Sequence, residues 1–118
     1  MRRTRCRNSC KAGISVALGT DGRCTNPDLD LLAEIRHVAG VCPSLEPARV
    51  LQLGTLDGAR ALGLADECGS LSAGKRADFL VFADDRSVDP CALLFAAPAL
   101  QSVYHRGRCV TSIAATGG

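Results

Sequence analysis

The chain has 118 residues, of which 47% are hydrophobic and 22% are charged. This size and composition predict one ordinary soluble domain or a piece of a larger one. Because 14 lysines and arginines stand against 12 acidic residues, the near-balanced charge argues against a nucleic-acid-binding or membrane-binding surface.

Residues 1–12 form a basic head, with the sequence MRRTRCRNSCKA. We expect this head to be solvated and disordered. The apolar run that follows is about eight residues long, whereas a bilayer-spanning helix needs roughly 20 apolar residues. We therefore expect a cytoplasmic chain with no membrane partner.

The first predicted element is a strand at Ile14–Leu18, which is short, apolar and rich in β-branched residues. We expect it to be buried on both faces. It breaks off at Gly19-Thr20-Asp21-Gly22, so the predicted strand ends on a carboxylate. Asp-Gly after an apolar run is most often an ordinary turn, but a carboxylate at a strand end also suits a metal ion or a general base.

Two helical regions follow. Asn26-Pro27-Asp28 predicts the first helix start, with Asn26 as N-cap and Pro27 at the first helical position, and Gly40 ends that helix. A second helical stretch begins near Pro47 and breaks at Gly54-Thr55, after which Thr55 can cap a further helix that ends at Gly63. The apolar positions predicted to face the core are Leu31, Ile35, Val38, Ala39, Val50, Leu51, Leu53, Ala59 and Leu62.

The last third of the chain has a strand-like period. Asp78–Phe82 predicts a strand, and the apolar segment from Pro90 to Pro98 has helical character. Ser102–His105 and Cys109–Thr111 predict two strands of a hairpin, joined across residues 106–108. We therefore expect a small antiparallel sheet in this part of the chain.

Gly69–Lys75 matches the first seven places of the phosphate-binding pattern G-x-x-x-x-G-K-[ST]. Arg76 occupies the eighth place, where the pattern needs a hydroxyl group that holds magnesium. The segment also follows a predicted helix and leads into a strand, which reverses the order that a phosphate loop requires. We therefore interpret it as a turn without nucleotide-binding function.

The seven cysteines are odd in number and irregular in spacing, and no Cys-x-x-Cys pair occurs. This pattern favours free thiols in a reducing compartment. Cys6 and Cys10 are close in sequence, so a zinc-binding module formed by Cys6, Cys10 and Cys24 stays open as a weaker alternative.

Four motifs occur in order: GTD at residues 19–21, GA-x-ALGL at 58–64, GSL-x-x-GK-x-AD at 69–78, and a Gly-Arg turn within 103–110. Each is weak alone, but their order and spacing resemble the C-terminal end of the metal-dependent amidohydrolases. The resemblance covers nearly the whole chain. It is nearest to the branch that contains cytosine, guanine and adenosine-type deaminases and triazine chlorohydrolases.

The resemblance implies an α/β fold that forms an incomplete barrel. Residues 13–66 would be the last strand and following helices of a (β/α)8 barrel, and residues 67–118 part of a small C-terminal β domain. Asp21 would then lie at the C-terminal mouth of the barrel, where such folds place their chemistry. The resemblance makes Asp21 both a metal ligand, for zinc or iron, and the catalytic group that takes a proton from the attacking water.

The chain departs from the family in its histidines. The resembled site also uses a His-x-His pair on the first barrel strand and histidines from two middle strands, whereas this chain has only His37 and His105, at neither position. A complete barrel needs about 200 residues or more, and only residues 1–20 precede Asp21. We therefore expect a fragment or remnant that binds no metal and has no activity by itself.

Two hypotheses for the function stay open, in addition to the zinc-binding cysteine module. In the first, the parent activity is metal-dependent hydrolysis of a non-peptide C–N bond, the deamination of a small aminated heterocycle. In the second, the chain is a non-catalytic remnant or a binding or scaffold module without metal. In both, unpaired sheet edges would favour self-association.

Overall fold

The computed structural model describes residues 9, 12–26, 28–83, 89 and 91–112. Within these residues, helices come first and a three-stranded sheet follows. The helices are α1 (Leu31–Val41), α2 (Pro47–Leu53) and α3 (Leu56–Ala61), the strands are β1 (Phe79–Ala83), β2 (Ala99–His105) and β3 (Arg108–Ser112), and a π-helical turn (Ala92–Ala96) lies between β1 and β2. None of the described helices is long and apolar enough to cross a membrane.

Helix α1 begins later than the sequence predicts. Asp30 is its N-cap, and the Asp30 carboxylate accepts a hydrogen bond from the N–H of Ala33 at 3.1 Å. Leu29 prevents an earlier start because its φ of 54° lies in the left-handed region. The predicted N-cap at Asn26 is therefore wrong, and the predicted first helical residue, Pro27, lies outside the described residues.

The other helix boundaries lie close to the predicted ones. Helix α1 ends at Val41, one residue past Gly40. Helix α2 begins at Pro47. Proline has no N–H, and this costs nothing at the first helical position because an N–H there has no partner within the helix. Thr55 precedes α3 as predicted, but its hydroxyl donates to the Leu51 carbonyl at 2.8 Å instead of capping α3.

The core forms where α1, α2 and the π-helical turn meet. Val50 and Leu53 are fully buried, and each such side chain contributes roughly 1.5–3 kcal/mol of burial free energy. A Cβ atom at Gly54 would lie 2.4 Å from Cδ1 of Ile35, so only glycine allows α1 and the end of α2 to approach this closely. The buried core cluster consists of Ile35, Ala39, Val50 and Leu94.

The sheet is antiparallel throughout, in the order β1-β2-β3. His105 pairs with Arg108 across a two-residue turn, in which Arg106 and Gly107 have φ of 51° and 77°. Positive φ at both turn residues is typical of a type I′ hairpin, whose twist matches that of the strands. The predicted hairpin is therefore confirmed, as is the predicted strand near Asp78–Phe82.

The predicted strand at Ile14–Leu18 is wrong for the chain as described. This segment pairs with no strand among the described residues, and Ile14 is 58% exposed. A single main-chain hydrogen bond, from the N–H of Leu18 to the carbonyl of Leu53 at 3.0 Å, attaches the segment to α2. A buried strand depends on neighbouring strands for its ladder and its burial, and the described residues supply none beside it.

Candidate functional site

Asp21 lies in the loop that follows the Ile14–Leu18 segment, and it is exposed. Its φ of 59° places it in the left-handed region, which aspartate enters more readily than most residues. The structure thus places a carboxylate at a sharp change of chain direction, directly before Gly22.

Thr25 contacts the Asp21 carboxylate. Its hydroxyl lies 3.0 Å from Oδ2 of Asp21 and 3.1 Å from the carbonyl oxygen of Gly22. The N–H groups of Thr25 and Asn26 both donate to that same carbonyl at 3.0 Å. These bonds close residues 21–26 into a tight turn, which we call the Asp21 turn.

Asn26 is the buried polar residue of this turn, with 8% of its surface exposed. Its Oδ1 accepts hydrogen bonds from the N–H groups of Asp28 and Leu29, at 3.2 and 3.3 Å. Its Nδ2 donates to Oε1 of Glu34 at 2.6 Å. Because Glu34 lies in the first turn of α1, Asn26 attaches the Asp21 turn to that helix.

The described residues do not form a complete metal site. They include no group of three His, Cys, Asp or Glu side chains that could hold a metal ion. Asp21 therefore stands alone as the predicted ligand in the described part of the chain. Cys24 is exposed and belongs to no such group, while Cys6 and Cys10 lie outside the described residues.

Neither histidine lies with Asp21 in a metal-binding group. His37 is exposed on α1, and His105 ends β2, where its Nδ1 lies 3.3 Å from Oδ1 of Asp78. The N–H of Arg106 donates to the same Asp78 oxygen at 2.7 Å and is the main cause of a lowered Asp78 pKa. Asp78 thus attaches the hairpin turn to the start of β1.

A charged cluster around Asp57 was not predicted from the sequence. Asp57 forms ion pairs with Arg49 and, at 2.9 Å, with Arg60. Burial raises the pKa of Asp57, but the hydrogen bonds from the two guanidinium groups outweigh this and lower the pKa below its ordinary value. The i, i+3 spacing of Asp57 and Arg60 was the available signal. The cluster joins α2 to α3.

The segment Gly69–Lys75 behaves as a turn. Lys75 donates from Nζ to Oγ of Ser70 at 2.8 Å, so its ammonium group is engaged within the segment itself. The next element is β1, and no helix begins there. The structure therefore agrees with the rejection of a phosphate loop.

Comparison with known proteins adds the following. The sequence model of the amidohydrolase family matches residues 2–110. A 5-methylthioadenosine/S-adenosylhomocysteine deaminase from Moorella thermoacetica is 48% identical to the chain, over 59% of the chain and 18% of that enzyme. An S-triazine hydrolase from Gordonia rubripertincta is 35% identical, over 58% of the chain and 16% of that enzyme.

A solved structure shows the same relation. The zinc-bound crystal structure of an adenosine deaminase from Xanthomonas campestris matches the chain with a TM-score of 0.75 and 31% identity. The match covers 85% of the chain but 26% of that enzyme. The chain thus spans less than a third of the length of each protein compared with it.

Proposed function

The chain belongs to the amidohydrolase family, and from this we propose that Asp21 serves as a catalytic carboxylate and metal ligand in the deamination of a small aminated heterocycle. The observation that carries the proposal is the place of Asp21. It follows the segment predicted to be the last barrel strand, at the head of a turn that Asn26 attaches to α1. Its Oδ1 has no hydrogen-bond partner among the described residues.

The chemistry needs a group that accepts and then returns a proton. Water adds to the ring carbon that bears the amino group, the carboxylate takes a proton from that water, and the amine leaves as ammonia after it receives a proton. A carboxylate with one free oxygen can make both transfers, and an amide cannot. Asp21 is the residue of this chain to which we assign the role.

The metal of the complete enzyme requires ligands from elsewhere. Catalytic zinc takes three protein ligands, typically with a water in the fourth position, and the described residues offer Asp21 without a companion group. We propose that zinc or iron binds only where a longer or complementing chain supplies histidines, and that the described residues do not hold it by themselves.

The proposed substrate class rests on the relatives. Their names refer to adenosine derivatives, which carry an amino group on a nitrogen heterocycle, and to a triazine, which is also a nitrogen heterocycle. We extend to the chain only this common feature. A cytoplasmic location, and the division into a barrel part at residues 13–66 and a β-rich part at 67–118, belong to the same proposal.

A non-catalytic scaffold is the second candidate, and the absence of a metal-binding group among the described residues favours it. The two candidates differ in whether a complemented chain turns over substrate. The test combines this chain with the portion of the Moorella thermoacetica enzyme that precedes its matching segment, adds zinc, and follows ammonia release from 5-methylthioadenosine.

We expect Asp21→Asn to reduce this ammonia release by about 100-fold or more, because loss of a general acid–base group costs roughly 10²–10⁴ in rate. Asp66→Asn is the matched control, since Asp66 is another exposed carboxylate and should leave the rate unchanged. Turnover by the complemented chain that survives Asp21→Asn would contradict the role of Asp21. A mixture that assembles but shows no turnover would favour the scaffold.

A further inference from the structure

We propose that Thr25 is a positioning residue that holds Oδ2 of Asp21 and so leaves Oδ1 as the oxygen that reacts. The inference rests on the proposed function for the role of Asp21, but the geometry of the pair stands by itself. A second group, Asn26 with Glu34, fixes the turn on which Thr25 lies. No catalytic role is assigned to Thr25, Asn26 or Glu34.

The contact between Thr25 and Asp21 distinguishes the two carboxylate oxygens. The Thr25 hydroxyl lies 3.0 Å from Oδ2, whereas Oδ1 has no partner among the residues that the structure describes. Thr25 has a β-branched side chain with restricted rotamers, and its hydroxyl lies within hydrogen-bond distance of both Oδ2 of Asp21 and the carbonyl oxygen of Gly22. The hydrogen bond to Oδ2 thereby orients the carboxylate, and Oδ1 stays available to accept a proton.

The backbone at Asp21 needs such a restraint. A φ of 59° is a conformation that residues other than glycine adopt at an energetic cost. The Gly22 carbonyl accepts the N–H groups of Thr25 and Asn26, each at 3.0 Å, which closes the turn on the far side of Asp21. The strained residue is thus followed by a closed hydrogen-bonded turn.

Asn26 connects this turn to the core. It is nine-tenths buried and makes hydrogen bonds through both its amide oxygen and its amide nitrogen. Its partner Glu34 precedes Ile35, which belongs to the buried core cluster. The Asp21 turn is therefore attached to a helix that contributes Ile35 and Ala39 to the buried core.

Groups that hydrogen-bond to a ligating carboxylate commonly determine its orientation, and their loss typically costs about 10- to 100-fold in metal affinity or activity. Thr25 occupies this position relative to Asp21. The hydroxyl is the functional part of the side chain, so Thr25→Ser should preserve the orientation of the Asp21 carboxylate and Thr25→Val should not.

The first test uses the chain as it is and requires no metal or turnover. NMR measurement of the Hα–Hβ couplings of Asp21 reports whether its side chain holds one rotamer. We expect one rotamer in the wild-type chain and in Thr25→Ser, and averaged couplings in Thr25→Val, which is nearly isosteric but lacks the hydroxyl. Methyl shifts of Ile35 and Val50, both buried, should be the same in all three proteins and so confirm an intact core.

The second test uses the complemented enzyme described above. Thr25→Val should lower kcat by about 10- to 100-fold with KM nearly unchanged, and Thr25→Ser should restore kcat. Unchanged Asp21 couplings in Thr25→Val, or a kcat loss that serine does not restore, would overturn the positioning role. Turnover that survives Asp21→Asn would instead overturn the proposed function, so the two failures are distinguishable.

Discussion

Asp21 and Asp57 show how local partners give two carboxylates different roles. Asp21 is exposed, and its carboxylate accepts one hydrogen bond from the residues that the structure describes. Asp57 is one-tenth exposed and engages both Arg49 and Arg60. The role proposed for Asp21 depends on its exposed carboxylate, whereas Asp57 joins α2 to α3.

Asp57 gives a prediction about pH. Because its folded-state pKa lies below the ordinary value of 3.8, its ionised form stabilises the fold above that pH, and the stabilisation is lost as pH falls through the folded-state pKa. Asp57→Asn should lower the free energy of unfolding by about 1–3 kcal/mol at neutral pH. The difference from wild type should shrink in acid.

Urea unfolding followed by circular dichroism at about pH 7 and about pH 3 measures this difference. Asp66→Asn is the control, since it removes an exposed carboxylate that has no ion-pair partner among the described residues. A deficit for Asp57→Asn that is equal at both pH values would show that the ion pairs contribute nothing beyond packing.

At the scale of single residues, the sequence identifies Asp21 as a candidate but does not predict the hydrogen bonds around it. Asp21 is identified by resemblance and by its place after an apolar run, and this assignment stays a prediction. Thr25 and Asn26 were missed as a unit because their partners, Asp21 and Glu34, are joined by loop geometry. No periodic pattern specifies that geometry.

At the scale of elements, local signals account for most of what was predicted correctly. Pro47 marks the start of α2, and Arg106-Gly107 forms the hairpin turn. The prediction of a strand at Ile14–Leu18 is wrong because strand formation depends on neighbours distant in sequence. The prediction that Asn26 is the N-cap of α1 is wrong because its side chain accepts hydrogen bonds from N–H groups in a turn before the helix.

The contact between α1 and α2 gives a prediction for this scale. A Cβ atom at Gly54 would lie 2.4 and 2.6 Å from Cδ1 and Cγ1 of Ile35, which is buried and has little room to move. Gly54→Ala should therefore lower the free energy of unfolding by about 1–3 kcal/mol, as overpacked cores do. Thermal unfolding followed by circular dichroism measures the effect.

Gly58→Ala is the matched control for this change. Gly58 lies inside α3, and a Cβ atom there would meet nothing within 4 Å. Alanine should be neutral or stabilising by up to about 1 kcal/mol, because glycine is a poor residue for a helix interior. Equal stability of the Gly54 and Gly58 variants would show that α1 and α2 do not meet as described.

At the scale of the whole molecule, the chain leaves apolar surface uncovered. Leu62, Leu71 and Leu80 are 76%, 74% and 46% exposed, and all three lie beside a cleft of about 620 Å³ between the helices and the sheet. The outer strands β1 and β3 each have one partner strand among the described residues. These features favour the self-association expected of the isolated chain, which stays a prediction.

The extent of the match to known proteins explains why the family could be predicted from the sequence and the substrate could not. The family assignment is confirmed, because the sequence model of the amidohydrolase family matches residues 2–110. The substrate could not be derived, since the chain spans 18% of the Moorella thermoacetica relative. The residues that would select a substrate are not identifiable from the described part of the chain.

The most direct measurement of the central claim is ammonia release by the purified chain alone, supplied with zinc and with adenosine, guanine or cytosine. We assign Asp21 to a site that the described residues do not complete, and a lone carboxylate cannot hold a catalytic metal ion. We therefore expect no release above the rate in buffer. Release that exceeds the buffer rate and disappears in Asp21→Asn would contradict the account, because the chain would then complete a working site by itself.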